Sequence, residues 1–80
     1  SNNIVEYPNP VNDILNIDIK NNVSYEMDFV LYRITGQEVF KSNLLQGVNK
    51  LNLESISSGV YFYTITSLND VVKTKKLIIK

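Results

Sequence analysis

Eight carboxylates, Glu6, Asp13, Asp18, Glu26, Asp28, Glu38, Glu54 and Asp70, are the side chains here best suited to acid–base or metal chemistry. Their spacing favours neither. Asp13, Asp18 and Asp28 do not fit a calcium loop, which needs ligands at alternate positions, a glycine and a closing glutamate. A glycosidase pair needs two carboxyl groups facing each other across a cleft, and a chain of 80 residues has little room to build one. Each acid is more simply read as part of a solvated strand face. Ser24, Ser42, Ser55, Ser57, Ser58 and Ser67 have no histidine to activate them, because the chain contains none, so a Ser–His–Asp triad is excluded. The absence of cysteine removes thiolate nucleophiles, thiolate metal sites and disulfides. Three widely separated glycines make no phosphate-cradling loop. The expectation is a protein with no catalytic residues and no cofactor.

Two features could still bind something. Tyr61 and Tyr63 alternate along one run and could form a carbohydrate platform. Tyrosines in that pattern are more often half-core residues with a tethered hydroxyl. The second feature is the end of the chain, Lys73-Thr74-Lys75-Lys76-Leu77-Ile78-Ile79-Lys80. Residues 71–80 carry four lysines and no acid, while residues 1–70 carry four basic and eight acidic residues. Net charge is zero, so attraction to nucleic acid or membrane is not expected from the whole. The lysines cluster with aliphatic residues rather than aromatic ones, which argues against single-stranded nucleic acid. A solvated edge strand guarded by lysines accounts for the same pattern. Chain ends are usually frayed and polar; an aliphatic end is either pinned into a sheet or read by a partner.

The elements that must position these residues are strands. No apolar pattern of period 3.6 is sustained, and alternating runs recur between turn residues. One domain over residues 1–80 is expected, with a small core, since a chain this short buries only about 60% of its unfolded surface. Seven strands are expected: 3–7, 13–20, 25–34, 38–44, 49–54, 60–67 and 71–80. Leu15, Ile17 and Ile19 should face inward, as should Met27, Phe29 and Leu31, Leu51 and Leu53, Tyr61, Tyr63 and Ile65, and Leu77 and Ile79. Turns are expected at Pro8-Asn9-Pro10, Asn21-Asn22, Thr35-Gly36, Gln46-Gly47, Ser57-Ser58-Gly59 and Asn69-Asp70. The fold class is all-β: a seven-stranded antiparallel, immunoglobulin-like β-sandwich without that fold's disulfide or tryptophan. No run reaches the ~18 apolar residues of a membrane helix. No N-terminal signal peptide is seen, so the export signal of an exported protein is expected outside these residues or at their other end.

Read in order, these pieces resemble the type A C-terminal sorting domain of the type IX secretion system of Bacteroidota. The resemblance rests on Tyr7-Pro8-Asn9-Pro10 followed by an alternating strand to Ile19, and on Val30-Leu31-Tyr32-Arg33-Ile34-Thr35-Gly36-Gln37-Glu38-Val39. It continues through Leu51-Asn52-Leu53, Ile56 and Ser58-Gly59-Val60-Tyr61-Phe62-Tyr63 to Lys75-Lys76-Leu77-Ile78-Ile79-Lys80. Thr35 and Gln37 depart from the charged residues the family often places beside the hairpin glycine. The resemblance implies a targeting signal, not an enzyme, at the end of a larger cargo whose reading frame it closes. It implies passage through the periplasm to the cell surface or beyond. It also implies an outer-membrane shuttle or translocon as partner, and removal by a sortase-like signal peptidase. Lys73, Lys75, Lys76, Leu77, Ile78, Ile79 and Lys80 are expected to supply the recognition strand, by strand addition and by attraction to an acidic receptor. Pro8, Asn9, Pro10, Gly36, Gly59 and Tyr61 are expected to be structural. Strand edges leave dimerisation open. The competing expectation is a fibronectin-like or immunoglobulin-like spacer, or a carbohydrate-binding module of an extracellular enzyme.

Overall fold

The computed structural model describes residues 3–20, 26–68 and 70–80. Its strands are β1 (Ile4–Tyr7), β2 (Ile14–Ile19), β3 (Met27–Arg33), β4 (Glu38–Leu44), β5 (Gly47–Asn52), β6 (Gly59–Ser67) and β7 (Asp70–Ile79). They form two antiparallel sheets, one ordered β1-β2-β5 and the other β4-β3-β6-β7. This is the expected immunoglobulin-like sandwich, with β7 at the edge of the four-stranded sheet. The expected turn at Asn21-Asn22, the expected strand start at Tyr25 and the Asn69 half of the expected Asn69-Asp70 turn lie outside the described residues.

Alternation produces the core because successive strand side chains point to opposite faces. Leu15, Ile17, Ile19 and Leu51 point inward from the three-stranded sheet, and Leu53 follows just beyond β5. Met27, Phe29, Leu31, Tyr61, Tyr63, Ile65, Leu77 and Ile79 meet them from the other sheet. Phe29 is the aromatic centre, with its ring centroid 5.2 Å from Tyr63 and 6.2 Å from Phe40. Every side chain expected inward is buried.

Local chemistry closes the connections. Between β3 and β4, Gly36 N–H donates to Arg33 O and Arg33 N–H to Gln37 O, both at 2.8 Å. Gly36 sits at φ 96°, the left-handed position that ends a three-residue hairpin loop and that glycine tolerates best. Between β6 and β7 the expected boundary shifts: Asp70 already pairs with Ser67, and the positive φ, 52°, falls on Leu68. Between β4 and β5 the side chain of Asn49 closes the turn. Its Oδ1 accepts from Leu45 N–H at 2.8 Å, while Nδ2 donates to Leu45 O at 2.8 Å and to Ile17 O at 3.0 Å. The last bond ties the turn to β2, so β5 starts at Gly47 rather than at Asn49. Replacing Asn49 by Ala should lower unfolding free energy by about 1–2 kcal/mol, given about 1 kcal/mol net per hydrogen bond. Urea unfolding should show this as a lower midpoint with unchanged slope, while Asn43→Ala on exposed β4 should move it by less than about 0.5 kcal/mol.

Candidate recognition site

The terminal lysine-aliphatic strand is held by a segment nearly seventy residues upstream. Asn9 sits outside β7 and mimics a strand's backbone: its Nδ2 donates to Lys76 O at 2.8 Å, and its Oδ1 accepts from Ile78 N–H at 3.0 Å. Val11 continues the contact as a parallel bridge to Ile79. Val11 N–H donates to Ile78 O and Lys80 N–H donates to Val11 O, both at 2.8 Å. Pro8 and Pro10 flank Asn9 and carry no N–H, so this added rim offers an approaching strand few donors. The Tyr7–Pro8 and Asn9–Pro10 peptide bonds are both cis. The motif Tyr7-Pro8-Asn9-Pro10 and the motif Lys75 to Lys80 are thus two halves of one contact.

A second clamp holds the middle of β7. The Lys73 ammonium donates to Glu6 Oε2 at 2.6 Å and to Ile4 O at 2.8 Å, which joins β7 to β1 of the other sheet. The Glu6 side chain is only 3% exposed and that of Lys73 16%, so the pair lies largely out of water. The other carboxylate oxygen of Glu6 accepts a short hydrogen bond from the Tyr63 hydroxyl. Burial, then that hydrogen bond, then the carboxylate's negative charge hold the Tyr63 hydroxyl well above the ordinary phenol range. An unpaired carboxylate in this position would be strongly unfavourable; here both of its oxygens are satisfied.

The pleat divides the expected recognition residues. Leu77 and Ile79 are core residues, and Ile78 is half-buried on the outer face beside Val60. Lys73 is on the inner side, and its charge is spent on Glu6. Lys75 shares that side but is exposed at the rim, opposite Tyr63 in register. Lys76 is exposed on the outer face beside Phe62, and Lys80 is exposed just beyond the strand. The available charges are therefore Lys75, Lys76 and Lys80, and they do not share one face.

Gly59 and Tyr61 support this strand from below. Gly59 opens β6 at φ 155°, a conformation that disfavours a side chain, and lies opposite Ile79. Tyr61 is buried, and its hydroxyl donates to Ser57 O at 2.7 Å. That tether, from an early residue of the sixth strand back to the preceding corner, matches the tyrosine corner of immunoglobulin-type sandwiches. The Glu6–Lys73–Tyr63 contact and the Val11 bridge were not anticipated from sequence. Glu6 offered one signal: it is the only charged residue in the first strand run.

Fold and clamps define an immunoglobulin-like module whose beginning and end are locked together. The chain belongs to the secretion system C-terminal sorting domain family, whose model matches residues 6–80. Membership makes it a type IX secretion sorting domain of the Bacteroidota kind, and a C-terminal sorting domain is a targeting signal rather than a catalytic domain. It implies work with the type IX machinery on a fused cargo that reaches the cell surface or the extracellular space. Among curated proteins, none matches the chain.

The Tyr63 proton gives this site a pH signature. Above about pH 10 the unfolded chain loses that proton while the folded chain keeps it. The group's stabilising contribution is complete below that pH and is lost as pH rises, at about 1.4 kcal/mol per pH unit. Urea unfolding between about pH 9 and 11 should show that decline in the native chain. The same titration of Tyr63→Phe should lack this component and keep only the part due to other groups.

Proposed function

We propose that residues 1–80 act as one sorting domain that carries a larger upstream protein from the periplasm across the outer membrane. The family match over residues 6–80 is the observation that carries this reading. An outer-membrane shuttle or translocon component of the type IX system binds the domain, and a sortase-like peptidase then separates it from its cargo.

The same reading assigns a job to each part of the last strand. Leu77 and Ile79 anchor it in the core. Lys75, Lys76 and Lys80 present positive charge to an acidic receptor surface, which speeds and orients encounter. Strand addition at residues 76–80 would first require release of Asn9 and Val11, which occupy that edge. The docked end is therefore read through its side chains.

The test fuses a reporter to the N-terminus of the chain in a host with this secretion system and in a strain lacking it. Surface-exposed reporter in the first strain and its retention in the second are the expected results. Retention in both would overturn the proposal. Deleting residues 73–80 is a poor probe, because it also removes Leu77 and Ile79 from the core and Lys73 from Glu6. The clean variant is Lys75→Glu with Lys76→Glu, both exposed. It should leave the unfolding midpoint nearly unchanged and reduce surface reporter by about tenfold, the effect of about 1.4 kcal/mol in binding. Unchanged export would remove charge from the recognition account.

A further inference from the structure

The two outer faces of the sandwich differ. On the three-stranded sheet, the outward positions are Asn16, Asp18, Lys50 and Asn52, which separate the exposed apolar residues Val5 and Tyr7 from Ile14 and from Val48. On the four-stranded sheet, an apolar strip crosses three strands. Tyr32 of β3 pairs with Phe62 of β6, and Phe62 pairs with Lys76 of β7. Val60 lies two residues before Phe62 on the same face and pairs with Ile78. Phe62 is 41% exposed and Val60 48%, although an outward position on a solvated sheet normally carries a polar residue.

We infer that Val60, Phe62, Ile78 and Tyr32 form the centre of a docking surface for an acid-rimmed protein of the secretion apparatus. The inference rests on the sorting-domain reading above and extends it from the chain's last residues to the sheet face beside them. Charge argues for the occupant. Lys76 flanks Phe62, and Lys80 follows Ile78 by two positions. β6 contains no acid, and the one acid of β7, Asp70, lies at the opposite end of that strand. The nearest carboxylate by register is Glu38, on β4 beyond Tyr32. A second copy packed through the same part of the face would set its lysines against its own kind, which costs association free energy. An acidic rim around an apolar centre satisfies both parts of the surface, with the exposed aromatic as the anchor.

The experiment uses the full chain fused behind a reporter in the secreting host. Val60→Thr with Phe62→Thr places a good strand former at both positions while removing apolar area. Val5→Thr with Tyr7→Thr makes the matching change, one valine and one exposed aromatic, on the other sheet. The first pair should cut surface reporter by about tenfold or more, as expected for loss of an aromatic anchor, and the second should leave it within about twofold. A photo-crosslinking residue at position 62, in an otherwise unaltered chain, should join an acidic-faced protein of the outer-membrane secretion complex. Export of the Val60→Thr, Phe62→Thr chain at the native level would overturn the inference while leaving the sorting function standing. Crosslinking to a second copy, crosslinking to lipopolysaccharide, or no crosslink would each overturn it as well. Failure of the native fusion to reach the surface would instead count against the sorting-domain reading itself.

Discussion

The last strand of this sandwich is held by residues 4–11, and the placement of everything else at the candidate site follows from that capture. β7 is an edge strand, paired on one side only by β6. Such a strand presents unpaired backbone groups and invites fraying or pairing with other chains. Asn9 and Val11 satisfy its outer edge from Lys76 to Lys80. Glu6 receives Lys73 on its inner face. Buried ion pairs add little net stability compared with apolar residues of the same shape, and they are costly when one partner is missing. The value of the Glu6–Lys73 contact is positional: it fixes which side of β7 faces β1, and so fixes Lys76 and Ile78 on the opposite side.

Much of the fold was legible because its determinants are local. Strict alternation at Leu15, Ile17 and Ile19 assigns a face without knowledge of any neighbour. Gly36 and Gly59 mark positions where the backbone takes positive φ. The core lists of β3, β6 and β7 follow from the same period. The start of β5 was less legible, because Gly47 pairs with Ile19 within the ladder while Asn49 closes the preceding turn with its side chain. A glycine that ends a turn and a glycine that opens a strand look alike in sequence.

The site was legible only in part. The lysines of residues 71–80 form one cationic run in sequence, yet period-2 geometry separates Lys73 and Lys75 from Lys76 and Lys80. The partner of Lys73 is 67 residues away, and nothing local points from one to the other. The contact between Asn9 and Ile78 spans 69 residues for the same reason. Alternation along β3 puts Tyr32 on the face opposite Phe29 and Leu31, but the continuation of that face through Phe62 and Val60 requires the register between strands. On the reading proposed above, a docked terminal strand would present a partner with a fixed surface rather than a loose tail, so binding would not carry the cost of ordering it.

The capture of β7 is tested most directly by amide hydrogen exchange on the isolated chain, resolved by residue. Ile78 and Lys80 donate to Asn9 and Val11 rather than to β6, so their amides report on the clamp alone. Protection of Ile78 and Lys80 comparable to that of Leu77 and Ile79, which face β6, is the result the capture predicts. Rapid exchange at Ile78 and Lys80 while Leu77 and Ile79 stay protected would contradict it.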